Sequence, residues 1–110
     1  MGKFVKGDVV VLPFSFSDLS SRKRRPALVV AIASADDIIL AQITSRVFSD
    51  NYSIELSSND FSDGGLNVPS NIRPNKLFTA NIGIIAYKAG TVKIQKMKDV
   101  ARVISELVSV

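Results

Sequence analysis

The chain has 110 residues, is 46% hydrophobic and 22% charged, and carries a formal net charge of +4, with a pI near 9.6. That is enough apolar material for the core of one domain and too little charge for a disordered chain. With no cysteine and no histidine, disulfides, a thiolate nucleophile and the commonest acid–base side chain are excluded, and carboxylates alone are left to bind a metal, so none is expected.

The start, Met1-Gly2-Lys3-Phe4-Val5-Lys6, lacks the apolar stretch of a signal peptide. No run approaches the roughly 18 apolar residues of a membrane span. A cytoplasmic protein with no membrane partner is expected. Asp8-Val9-Val10-Val11-Leu12 is a β-branched run entered by Gly7 and closed by Pro13, so it reads as a strand. A polar loop follows over 14–25. Pro26 can open a strand but lacks the N–H to sit inside one, so the next strand is placed at 27–33. A turn over Ser34-Ala35-Asp36-Asp37 leads to a strand over 38–44.

Tyr52-Ser53-Ile54-Glu55-Leu56 alternates and reads as a half-buried strand. Asp63-Gly64-Gly65 is a turn, because glycine supplies positive φ freely. Pro69 and Pro74 bracket an extended connection, Ser70-Asn71-Ile72-Arg73. A strand over 77–86, a tight turn at Ala89-Gly90 and a short return over 92–94 follow. The period then changes. Val100, Val103, Ile104, Leu107 and Val108 fall on one face of a helix, placed over 96–108. The fold class expected is mainly β with one C-terminal helix, a small, strongly curved sheet or barrel forming a single domain over 1–110.

The basic run Arg22-Lys23-Arg24-Arg25 opens directly onto Pro26. Four adjacent cations repel one another and add nothing to a core, so they point to an anionic partner: nucleic acid first, an acidic protein second. Arg25 sits at a strand mouth, where a guanidinium can hold a phosphate with two parallel hydrogen bonds. Thr44 closes the following apolar run beside Ser45 and Arg46. Arg46, Arg73 and Lys76 are further cations that could clamp phosphates.

Several blocks in order resemble the MazF/PemK toxins: Gly7-Asp8-Val9-Val10, Phe16-Ser17-Asp18, Arg24-Arg25-Pro26-Ala27-Leu28-Val29, Ala41-Gln42-Ile43-Thr44-Ser45-Arg46, and Ser70-Asn71-Ile72-Arg73-Pro74-Asn75-Lys76-Leu77-Phe78-Thr79. The resemblance implies an SH3-like barrel, usually dimeric. It also implies an endoribonuclease of a type II toxin–antitoxin pair that cuts single-stranded RNA without a cofactor and is held by an acidic antitoxin. On that resemblance Arg25 and Thr44 are the catalytic pair. Arg22, Lys23, Arg24, Arg46, Arg73 and Lys76 bind substrate, and Asp18 is the candidate base. Where some members carry Arg-Thr-x-Asp, this chain has Phe78-Thr79-Ala80-Asn81. The alternative from another class is a non-catalytic toxin of the CcdB kind, which grips a protein target, or a plain nucleic-acid-binding barrel.

Overall fold

A computed structural model describes residues 3–14, 23–47 and 50–110. Seven strands precede one helix: β1 (Asp8–Phe14), β2 (Lys23–Ile32), β3 (Asp37–Thr44), β4 (Ile54–Leu56), β5 (Phe61–Gly64), β6 (Ser70–Asn81), β7 (Tyr87–Val92) and α1 (Ile94–Val108), with 3₁₀ turns at Ser58–Asp60 and Ile82–Ile84. The strands form one sheet in the order β4-β6-β3-β2-β1-β7-β5.

That order forces curvature. β4 and β5 are the two edges, yet only residues 57–60 lie between them. The link spans about 18 Å at most, whereas the edges of a flat seven-stranded sheet stand about 28 Å apart. The sheet must therefore curl to bring its edges near one another, and the molecule's principal extents are nearly equal at 33, 32 and 32 Å. Lys96 at the start of α1 fastens the closure. Its Nζ donates to the Glu55 carbonyl at 2.9 Å and lies 3.5 Å from the Asp60 carboxylate. Burial opposes the charge on Asp60, but the Ser57 N–H and Lys96 outweigh it and hold the carboxyl below its ordinary value.

The valine run of β1 shows why this strand is central. Val9 and Val10 are both fully buried, although successive side chains point to opposite faces. One face carries Val9, Leu28, Ala41, Ile43, Ile72 and Val92 under Val100, with Met97 and Ile104 of α1 packed against them. The other gathers Val10, Leu12, Phe14, Ala27, Val29, Ile38, Leu40 and Ala80. Each fully buried valine or leucine adds about 1.5–3 kcal/mol, so a strand with both faces covered anchors the sheet.

Several sequence expectations shift, the first being that β1 runs on through Pro13 to Phe14. β2 begins at Lys23, with Pro26 inside it. The strand tolerates the missing N–H because Pro26 is paired on one side only, to Val11 of β1; the ladder to β3 starts at Ala27–Gln42. Residues 70–73 and the strand after them form one strand, β6, which ends at Asn81. Pro74 falls in a bulge, where the register jumps from Arg73 to Leu77, so no ladder bond is lost. Ala89-Gly90 is not a turn but lies within β7. Gly90 pairs with Gly64, and a Cβ at Gly90 would meet the Asp63 carbonyl at 2.5 Å, so glycine here allows two backbones to approach. The helix starts two residues earlier than its apolar period indicates, at Ile94, and its far end is not covered: Val108 is 72% exposed. Asp63-Gly64 is likewise not a turn but the end of β5, where Gly64 at φ +66° pairs with Gly90.

Candidate nucleic-acid site

The site is built by register. Leu12 of β1 lies opposite Arg25 of β2. The β2–β3 ladder ends at Ala27–Gln42, and Arg25 and Thr44 lie two residues beyond that end on their own strands. Thr44 is paired with Asn71 of β6, and Asn71 with Glu55 of β4. Residues directly opposite one another share a face. Thr44, Asn71 and Glu55 therefore form a polar row across β3, β6 and β4, and Arg25 lies on the same face of β2 by alternation with Ala27 and Val29. Between Arg25 and Thr44 the ladder has stopped, so a mouth opens there.

Alternation divides the basic run. Lys23 and Arg25 share the face of Ala27 and Val29; Arg24 points to the other side. All three are exposed. Arg25 makes no side-chain hydrogen bond or ion pair among the described residues. Arg22 and Asp18 lie outside the described residues.

Thr44 is half-buried, and its Oγ1 accepts the backbone N–H of Arg46 at 3.1 Å. The hydroxyl proton is left to donate elsewhere. The Arg46 carbonyl accepts from Asn71 Nδ2 at 2.9 Å. The corner after β3 is thus pinned by its own threonine and by a side chain of the neighbouring strand, while the Arg46 side chain is exposed.

Arg73 has a different place from the one its sequence position indicates. It lies in β6 opposite Gln42, is buried at 8% exposure, and forms a 2.6 Å ion pair with Asp50. Asp50 also accepts the N–H groups of Tyr52 at 3.1 Å and Ser53 at 3.0 Å. The Tyr52 N–H holds its carboxyl below the ordinary value of 3.8 against partial burial, with the Ser53 N–H and Arg73 adding to the effect. Arg73 is a cross-link between β6 and the β3–β4 connection. Lys76 is exposed in the bulge of β6.

Asp50 and Asn71 escaped the sequence reading as site residues. Asn71 did leave a signal, since asparagine is depleted in strands and one inside a strand usually has a hydrogen bond to make. The stretch Phe78-Thr79-Ala80-Asn81 is given over to packing. Phe78 lies opposite Leu40 and meets Phe14 edge to face at 4.9 Å between ring centroids. Asn81 accepts the Gly83 N–H at 2.8 Å. A cleft of about 190 Å³ opens at the β4 edge between Leu56, Phe61, Leu66 and Val68. Its lining holds no cation, so a polyanion finds its partners on the row instead.

An antiparallel seven-stranded sheet curled into a half-barrel and backed by one C-terminal helix defines the fold. The chain belongs to the PemK-like, MazF-like toxins of type II toxin–antitoxin systems, whose family pattern it matches over residues 5–108. No curated protein sequence matches significantly. Among solved structures, the chain is similar to an endoribonuclease in complex with its cognate antitoxin from Mycobacterial species. The two share a TM-score of 0.74 and 11% identity, over 93% of this chain and 91% of that one. It is also similar to MazF in the MazE–MazF complex of Deinococcus radiodurans, with a TM-score of 0.73, 17% identity and 94% of each chain covered. At such identities the likeness shows the fold.

Proposed function

We propose that this toxin is an endoribonuclease that cuts single-stranded RNA at the mouth between β2 and β3. The observation that supports the reading is that the β2–β3 ladder ends at Ala27–Gln42, with Arg25 and Thr44 two residues beyond that end on their own strands. In the reaction the RNA 2′-OH attacks the adjacent phosphorus and the bond to the 5′-oxygen breaks. The products are a 2′,3′-cyclic phosphate and a 5′-OH; the proton leaves the 2′-oxygen and a proton reaches the 5′-oxygen. Arg25 holds the non-bridging oxygens and stabilises the phosphorane charge. Thr44, whose hydroxyl already accepts from Arg46, donates its proton to a phosphate oxygen. Lys23 and Arg46 bind flanking phosphates, with Arg22, Arg24 and Lys76 adding charge. Arg73 is engaged by Asp50 and supports the site from behind.

Arginine is too weak a base for the proton transfer. Asp18, close in sequence to the basic run, is the base proposed. An acidic antitoxin segment is the inhibitor expected, since it would compete for the same cations. The Mycobacterial and Deinococcus structures are themselves toxin–antitoxin complexes. A homodimer in the cytoplasm is the expected working form.

The test is a single-turnover assay on long single-stranded RNA in EDTA, because no metal is required by this scheme. Wild type should cut and Arg25→Ala should not, with the circular dichroism spectra superimposable. A wild type that stops growth yet cuts no RNA would replace this reading with a non-catalytic, protein-binding toxin.

A further inference from the structure

We propose that Asn71 is a positioning residue that presents Arg46 to the RNA; this rests on the endoribonuclease reading above. Both backbone polar groups of Arg46 are occupied. Its N–H goes to Thr44 Oγ1 at 3.1 Å and its carbonyl to Asn71 Nδ2 at 2.9 Å. Its side chain is exposed and makes no hydrogen bond or ion pair among the described residues. A backbone held at both ends fixes where the side chain leaves the surface, which is the support a binding group needs.

The amide of Asn71 can face the Arg46 carbonyl only through its nitrogen, because its oxygen would set two acceptors against each other. Asn71 is half-buried in β6, opposite Thr44 on one side and Glu55 on the other. Its own strand is therefore rigid, and the bond reaches 25 residues back along the chain to the one corner that leaves β3 beside Thr44. Asn71 thus couples β6 to the height and direction at which the Arg46 guanidinium leaves the surface. Arg46 meets a phosphate flanking the scissile one, so its placement governs RNA binding more than the chemical step.

The experiment is a double-mutant cycle, with KM and kcat measured on one RNA substrate. Asn71→Ala should raise KM about tenfold and leave kcat within about twofold of wild type, as expected when binding shared by ground and transition states is lost. In an Arg46→Ala background the same change should raise KM by less than about twofold, because the residue it acts through is gone. Asn71→Leu, nearly isosteric but without a donor, should behave as Asn71→Ala and serves if alanine loosens β6. Equal losses in both backgrounds, an unchanged KM in Asn71→Ala, or an unchanged KM in Arg46→Ala would each overturn the proposal. If wild type cuts no RNA while remaining folded, the endoribonuclease reading falls first and this inference falls with it.

Discussion

Two arginines on the same face of this sheet have opposite fates. Arg25 stands exposed at the start of β2, beyond the last paired step to β3, without a side-chain partner among the described residues. Arg73 is buried in β6 and tied to Asp50 at 2.6 Å. A guanidinium next to a carboxylate that is itself fixed by two backbone N–H groups is a cross-link. A guanidinium at an unladdered strand mouth keeps its donors for a ligand. The difference lies in what surrounds each arginine, and sequence position says nothing about it.

The comparison breaks most sharply at Arg25. Arg25→Lys should lose at least about a hundredfold in single-turnover rate, because a point charge cannot replace the planar fork. Its melting temperature should stay at the wild-type value. Retention of more than a tenth of the rate would show that charge alone suffices there.

Arg73 should give the converse. Arg73→Met keeps most of the buried stem but removes the ion pair, leaving Asp50 without its cation. The melting temperature should fall by several degrees, whereas the rate well below the transition should drop less than in Arg25→Lys. A variant that melts normally but has lost RNA affinity would move Arg73 into the substrate contacts.

Acid sharpens the same contrast. The Asp50 carboxyl is held below its ordinary value of 3.8 in the folded state. Its contribution to stability is therefore present above about pH 4, declines as the pH falls below the unfolded value, and is gone once the folded carboxyl is protonated. Chemical denaturation of wild type and Asp50→Asn across pH 2.5–7 should show the two stability curves converging at the acid end. Parallel curves over that range would mean that the Asp50 charge stabilises nothing.

The smallest effect concerns the neighbours of Arg25. Lys23→Ala should weaken RNA binding several-fold and flatten the log–log salt dependence by about 0.7, the value of one phosphate contact on a single strand. Arg24→Ala, on the opposite face, should change both less. Equal effects would mean that the run acts as a diffuse charge rather than as two faces of a strand.

Much of the fold was legible in the chain. Val9-Val10-Val11 announced a strand, and the change of period at Val100 announced the helix. Gly64 does take a left-handed φ of +66°, but at the end of β5 rather than in a turn. The signals that misled were those whose meaning depends on a neighbour. Pro26 was read as a strand boundary because its missing N–H is costly inside a ladder, and the ladder is missing on one side. Ala89-Gly90 was read as a turn because glycine favours one, but here the glycine makes room for the β5 backbone.

The sequence by itself determined the class of the domain, since that follows from composition, period and motif order, and it named Arg25 and Thr44 as candidates. Only the tertiary structure decided which cations share a face. Alternation sends Arg24 away from Lys23 and Arg25, burial joins Arg73 to Asp50, and the β3–β6 register brings Asn71 to the Arg46 carbonyl. The last two depend on contacts between residues far apart in the chain, and a linear pattern carries no information about which distant strand will lie alongside.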